Sequence, residues 1–277
     1  MNTSIAKRII LLTLPASLLL PALATATATA TATAQSVFVG TWKADISNNI
    51  QMPKKPFRYL LANGVYHCLT CGPAYSVKAD GEDHKVAGHP YFDTVSIKVI
   101  DDNSIEETDK KGGKTVTVTT IKVASDGMTV TYDVTDSSNS NGAPVKMKGE
   151  NARVAKGPAG SHAISGSWRA TKFESISDNG LLVTYAMDGA KLKMTAPTGQ
   201  SYSAPLDGTD SPFMGDPGQS SISLKRIDDN TIDETDKRNG KVIGTEHMTV
   251  SAGGKTMTVA WKDLLHGSTG SYMNVKQ

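Results

Sequence analysis

Met257, Val259 and Trp261 alternate with Thr256, Thr258 and Ala260, and Met128, Val130, Tyr132 and Val134 alternate with Thr129, Thr131 and Asp133. Successive side chains of a strand point to opposite faces, so this period of two predicts half-buried β-strands. Between such runs stand Asp101-Asp102-Asn103, Lys111-Gly112-Gly113, Ser125-Asp126-Gly127, Arg238-Asn239-Gly240 and Ala252-Gly253-Gly254. Each holds residues that accept the dihedrals of tight turns, and strand, turn, strand at short spacing predicts an antiparallel meander. Beyond the N-terminal segment no stretch places apolar residues at i, i+3, i+4 and i+7 between caps, so little helix is expected. A meander of about eight strands must hide its edges, and closure into an up-and-down barrel does so most simply. A two-sheet sandwich is the alternative; it stands second because local hairpins dominate and no long Greek-key crossover is visible.

The pattern is written twice. Gly40-Thr41-Trp42-Lys43-Ala44 returns 126 residues later as Gly166-Ser167-Trp168-Arg169-Ala170. The eleven residues from Ile100 to Lys110 return 127 later, from Ile227 to Lys237, with nine identical. Tyr75, Asp80, Gly81, Asp83, Gly88 and Pro90 map by the same 127 onto Tyr202, Asp207, Gly208, Asp210, Gly215 and Pro217. A period this long is a domain rather than a solenoid unit, because solenoid repeats run roughly 20 to 50 residues and cannot bury a core alone. The stretch 155–163, rich in small residues with Gly157 and Pro158, reads as a linker. The expected organisation is therefore an all-β chain of two tandem antiparallel up-and-down barrels, over 35–154 and 164–277, preceded by an N-terminal segment over 1–34.

That segment carries Lys7 and Arg8, an apolar run from Ile9 to Leu20, and Ala22-Leu23-Ala24 before an Ala/Thr tract. Basic region, apolar region and small-residue cleavage site together read as a secretory signal peptide, and the run falls short of the roughly 20 residues a spanning helix needs. The mature chain is expected to be periplasmic or secreted, without a membrane span. No cysteine lies near the cleavage region to accept a lipid anchor. The whole 277-residue chain has 29 Lys plus Arg against 27 Asp plus Glu, and removal of Lys7 and Arg8 leaves the two signs equal. Such a balance gives no electrostatic footprint for nucleic acid.

Phe38-Val39-Gly40-Thr41-Trp42-Lys43 resembles the first-strand Gly-x-Trp signature of the calycins, the lipocalins and fatty-acid-binding proteins, and Gly166-Ser167-Trp168-Arg169 repeats it. The tandem whole also resembles a group of secreted bacterial proteins of uncharacterised function. The resemblance implies that Trp42 and Trp168 each close a barrel floor against a basic residue on the last strand. Arg153 is the candidate in copy one and Lys276 in copy two. It also implies a barrel interior that holds a small apolar ligand. Neither C-terminal strand carries the Arg-x-Tyr carboxylate clamp of the fatty-acid-binding branch.

Cys68 and Cys71 are the only cysteines. In an oxidising compartment two cysteines this close are expected to form a disulfide. Two other readings stay open. A redox pair would need a helix after the motif, where Gly72-Pro73 and the strand-like Tyr75-Ser76-Val77 stand instead. A zinc site would need further ligands, for which His67, His84 and His89 are candidates. By the 127 offset Cys68 and Cys71 map onto Thr195 and Thr198, so a turn stiffened by a disulfide in one copy would be stiffened by Pro197 in the other.

In the acidic run Glu106-Glu107-Asp109, copied as Asp233-Glu234-Asp236, alternation puts Glu107 and Asp109 on one face. Lys98, Lys110 and Lys114 nearby suggest a solvated, ion-paired meander. The Asp-Asp-Asn turns lack the spacing of a twelve-residue calcium loop, and no Gly-x-Ser-x-Gly elbow is present. Trp42, Trp168 and Trp261 are expected as core anchors.

These readings converge on a non-enzymatic, extracytoplasmic protein, with no cofactor, that binds a small apolar or amphipathic molecule. The expected lining is the inward alternates Met128, Val130 and Tyr132 of copy one and Met257 and Val259 of copy two. The alternative is a structural or adhesive envelope module with solid cores, and the residual enzyme reading uses Cys68 and Cys71.

Overall fold

The computed structural model describes residues 36–47, 50–139 and 143–277; the segment read as a signal peptide lies outside the described residues. The chain opens with β1 (Gly40–Asp45) and continues through β2 (Phe57–Ala62), β3 (Val65–Cys68), β4 (Tyr75–Lys78), β5 (His84–Lys85) and β6 (Thr94–Asp101). β7 (Ser104–Lys111), β8 (Lys114–Val123), β9 (Thr129–Asp136), β10 (Val145–Lys156) and β11 (Gly166–Ile176) follow. The second half holds β12 (Leu182–Asp188), β13 (Lys191–Thr195), β14 (Ser201–Pro205), β15 (Asp207–Pro212) and β16 (Ser221–Arg226). It ends with β17 (Thr231–Arg238), β18 (Lys241–Val250), β19 (Thr256–Asp263) and β20 (Ser268–Lys276). The strands form two nearly closed antiparallel sheets of ten strands each, so the fold is two barrels rather than two sandwiches. Short terminal strands such as the two-residue β5 raise the count above the expected eight. One 3-10 turn, Asp178–Gly180, interrupts the β-structure, and among the described residues no helix is long and apolar enough to cross a membrane.

The strand order departs from a simple tandem. The first sheet runs β4-β3-β2-β11-β10-β9-β8-β7-β6-β5, and the second runs β14-β13-β12-β1-β20-β19-β18-β17-β16-β15. The first strand of each copy thus sits in the other copy's barrel. β11 lies between β10 and β2, while β1 lies between β12 and β20. The first barrel is the contiguous stretch 57–176, and the second is completed by β1. The sequence boundaries mark the repeat, whereas the folded units exchange a strand across them. The stretch 155–163, read as a linker, instead takes in the end of β10 and most of the hairpin loop 157–165 that joins β10 to β11, and Gly157 N donates to Ser165 O at 3.1 Å. The exchange is physically permitted because both first strands carry the same Gly-x-Trp and therefore fit either socket.

Each socket is built alike. Trp42 and Trp168 are fully buried, and their indole N–H groups donate to Phe38 O at 2.7 Å and Ile164 O at 2.8 Å, four residues upstream in both cases. The basic residues expected opposite them are present, with partners set by the exchange. Arg153 of copy one lies over Trp168 of copy two, its guanidinium carbon 3.9 Å from the ring centroid. Lys276 of copy two lies over Trp42 of copy one at 4.9 Å. Arg153 also donates to Ser165 O at 2.8 Å, to Ala163 O at 2.7 Å and to Gly127 O. Lys276 makes one such bond, to Val37 O at 3.2 Å. Gly40 (φ 133°) shows why the signature needs glycine: its backbone is in a region L side chains avoid, and a Cβ there would meet the Lys276 side chain at 2.6 Å.

Apolar side chains cluster inside each barrel. Val95, Ile97, Ile105, Tyr66 and Trp168 lie in the core of the first, and Leu192, Ile222, Leu224, Ile232 and Trp42 in that of the second. A third cluster joins the two barrels. Tyr132, Val134, Val145, Met147 and Ile176 of the first barrel pack with Ala44 and Leu181, and Tyr272 of β20 lies against them. Tyr91 pins the barrels elsewhere, donating to Asp216 at 2.8 Å.

Candidate functional site

The residues expected to line a ligand chamber are placed differently by the structure. Met128 stands at the mouth of the β8–β9 hairpin with 51% of its surface exposed, so it faces solvent rather than an interior. Val130 belongs to the first core, Tyr132 to the inter-barrel cluster, and Met257 and Val259 to the second core. Tyr132 lies across Gly149, its cross-strand partner, where any Cβ would meet its hydroxyl. Alternation put these four on a buried face, and each packs within a cluster of buried side chains.

The second barrel does hold an internal cavity, of about 50 Å3, lined by Tyr185, Tyr202, Gln200, Gln219, Glu234, Asp236, Glu246 and Asn274 among others. A water needs roughly 10 to 15 Å3 of such space, so this volume suits a few waters rather than an organic ligand. Here the acidic run differs from expectation. Glu107, Asp109, Glu234 and Asp236 are buried, facing inward, rather than on a solvated face. Tyr75 and Tyr66 donate to Glu107 at 2.7 and 3.3 Å, and Tyr202 donates to Glu234 at 3.1 Å. Burial first, then the neighbouring Asp236 carboxylate, holds the Glu234 carboxyl well above the usual range. Burial likewise raises the Tyr66, Tyr75 and Tyr202 phenols. Parity with the apolar Ile105 and Ile232 was the signal in the sequence: residues 105, 107 and 109 share one face, and that face is the core.

Cys68 and Cys71 are joined by a disulfide with Cα atoms 5.5 Å apart. The register corrects its counterpart in copy two. Cys68 pairs with Tyr59 across β2–β3 and Met194 pairs with Tyr185 across β12–β13, so Met194, not Thr195, stands in the place of Cys68. The extra residue of copy two falls in the following loop. The three histidines weighed as zinc ligands have separate engagements: His67 on Ser76 at 2.6 Å, His84 on Asp80 at 2.8 Å, and His89 stacked on Phe92. Among the described residues no group of three or more His, Cys, Asp or Glu is placed to hold a metal.

The site that sequence reasoning missed lies between the barrels. A cleft of about 380 Å3 is lined by Pro53, Lys55, Pro56, Phe57 and Arg58 on one side, and by the disulfide loop from Leu69 to Gly72. Its far wall is the β19–β20 hairpin, with Trp261, Leu265, His266 and Ser268. Each wall is anchored. Gln51 bridges to Ser271 on β20 with an N–H···O distance of 2.7 Å, Arg169 of β11 donates to Lys54 O at 3.2 Å, and Lys55 Nζ donates to His266 O at 2.6 Å. Arg58 and the disulfide loop are tied by Leu69 N to Arg58 O at 3.0 Å and by Arg58 N to Thr70 Oγ1 at 3.0 Å.

On the far wall Trp261 lies across Gly270, where a Cβ would be only 2.5 Å from the indole. His266 has Nδ1 2.6 Å from the buried Asp263 carboxylate, which also accepts the Leu265 and His266 backbone N–H groups. The other ring nitrogen comes so close to Gly72 that a Cβ there would lie 2.6 Å from it, and the two barrels touch at this point. Leu69 and Leu265, one from each barrel, leave 44% and 45% of their surfaces exposed at the cleft.

A second inter-barrel depression, of about 520 Å3, is formed where residues 88–90 meet 216–220. Its polar groups bond mainly to one another: Asp216 accepts from Tyr91 and Gly218 N–H, and Arg238 donates to Gly218 O. The Pro-Lys-Lys-Pro cleft therefore has the stronger claim to a ligand, since it combines exposed apolar side chains with cationic groups. No family model matches the chain, and no curated protein matches it.

Proposed function

We propose that the protein is an extracytoplasmic, non-enzymatic, calycin-like binding protein for a small amphipathic molecule, and that the ligand is held between its barrels rather than within them. The observation that carries this reading is the cleft itself. Its roughly 380 Å3 falls within the range of small-molecule pockets, about 300 to 1,000 Å3. Its walls are the apolar faces of Trp261, Phe57, Leu265, Leu69 and two prolines, with polar groups at the rim. Its frame is fixed by hydrogen bonds from both barrels, so little conformational entropy is lost when a ligand enters.

The test is titration with the neutral apolar dye Nile red, together with native mass spectrometry of protein purified from its own host. A single dye site is expected, lost in Leu265→Asp, and a bound mass of a few hundred daltons is expected in the wild type. Dye binding that is indifferent to Leu265→Asp and Leu69→Asp would refute the cleft as the site. The apolar clusters packed inside both barrels support a second reading, a structural envelope module. That reading predicts no stoichiometric dye site and no retained mass.

A further inference from the structure

We propose that the cleft selects a free organic anion, a flat apolar body bearing a carboxylate or sulfonate; this deepens the binding reading above and rests on it. The argument begins with charge. Outside the N-terminal Lys7 and Arg8 the chain carries equal numbers of acidic and basic side chains, yet among the described residues lining the cleft there is no Asp or Glu. Lys55, Arg58 and His266 are there. Asp263, behind His266 at 2.6 Å, balances the imidazole when it is protonated. That leaves Lys55 and Arg58 as two positive charges with no carboxylate facing them across the cleft. Lys55 gives one hydrogen bond to His266 O, and an ammonium has three donors, so it can also serve a ligand. A guanidinium presents paired N–H groups that match a carboxylate or sulfonate.

The body of the ligand follows from the walls. The flat rings of Trp261 and Phe57, set beside the rigid rings of Pro53 and Pro56, favour an aromatic plane over a flexible chain. The position of these groups gives a third argument. Pro53-Lys54-Lys55-Pro56 lies in the connection 46–56, whereas its counterpart in copy two is the much shorter 177–181. The disulfide is likewise found in copy one alone. Lys55 and the disulfide wall thus belong to segments in which the copies have parted, and the fold brings these segments to one place, beside Arg58 on β2.

The test uses three ligands of one shape, measured by calorimetry on the full mature chain: 2-naphthoate, 2-naphthamide and 2-naphthylmethylammonium. Naphthoate is expected to bind about five- to tenfold more tightly than the amide, the modest effect of two exposed cations, and the ammonium more weakly than either. The Lys55→Gln/Arg58→Gln variant should keep its affinity for the amide and lose the preference for the anion. In wild type 0.5 M salt should shrink that preference. Equal binding of naphthoate and amide, sensitive to Leu265→Asp, would overturn the anion selectivity and leave the cleft reading standing. Failure of all three ligands in a protein that binds Nile red would also overturn it. Retention on phosphatidylglycerol vesicles without naphthoate binding would place the anion on a membrane surface and overturn the proposal.

Discussion

The strand exchange can be tested by covalent capture. Thr41 of β1 and Thr184 of β12 are directly opposed across the ladder, with their hydroxyl oxygens 2.9 Å apart and a sequence separation of 143. Without the exchange Thr41 would lie in the first barrel, and Thr184 in the second would have no such neighbour. Replacing both with cysteine should therefore give an intrachain disulfide on mild oxidation. Closing a loop of this length removes denatured-state entropy worth about 5 kcal/mol, and native-state strain reduces that figure. With a guanidinium m-value of about 6 kcal/mol/M, the unfolding midpoint should rise by roughly 0.4 to 0.8 M between the reduced and oxidised variant. The wild type, carrying only the short Cys68–Cys71 ring, is the control for reduction and should move much less. The assay is guanidinium denaturation with and without reductant, combined with mass spectrometry of the linked tryptic peptides spanning positions 41 and 184. Failure to cross-link, or cross-links found only between chains, would refute the arrangement.

Three further outcomes follow from the same geometry. A fragment of residues 57–176 should fold alone, while 57–154 should not. The shorter piece lacks β11 and the fully buried Trp168, and that side chain alone is worth about 5 kcal/mol against a domain stability of about 5 to 15, as far-UV and near-UV circular dichroism would show. Arg153→Ala should cost about 2 to 4 kcal/mol, because it removes the ring contact and several carbonyl hydrogen bonds. Lys276→Ala, with one long bond and a looser ring contact, should cost less than half as much in the same denaturation assay. Glu234→Gln tests the buried carboxyl. Its pKa is raised in the folded state, so the native chain holds this proton more tightly and its contribution to stability is present below about pH 4.5 and lost as pH rises. The variant should gain in melting temperature over wild type progressively above that pH, and a constant difference from pH 4 to 8 would refute the assignment.

The strands, turns and barrel class were legible because alternation and turn chemistry are local properties, and the chain states them twice. The exchange was not. Gly40-Thr41-Trp42 and Gly166-Ser167-Trp168 present the same strand to the same kind of socket, so side-chain pattern alone gives two arrangements similar local contacts. What separates them is the connection after each strand and the cluster of Ala44, Tyr132, Ile176 and Leu181 between the barrels, neither of which has a periodicity to read. The Trp–basic pairing was found by type, through Arg153 and Lys276, but not by partner. A buried face was read correctly for Val130, Tyr132, Met257 and Val259. Whether a buried face lines a chamber or a packed core depends on volume, and alternation carries no information about volume.

The candidate site shows the complementary case. A duplicated chain offers a comparison within itself: where the copies agree, each repeats what the barrel requires, as with the tryptophan sockets and the buried Tyr–Glu pairs at Glu107 and Glu234. Where they part, the barrel has not dictated the residue. The long connection through Pro53 to Pro56, the Cys68–Cys71 loop and the Leu264-Leu265-His266 hairpin are such places, far apart in sequence and together in space. Strand exchange explains why they meet. Sending β1 into the second barrel obliges the connection 46–56 to cross from one barrel to the other, and it lays Lys55 against His266 at the seam. An unexchanged tandem would keep that connection on the first barrel and would have no cleft walled by both. The ligand reading and the topology are therefore coupled, and a chain locked into the exchanged form through positions 41 and 184 should bind Nile red at least as tightly as wild type.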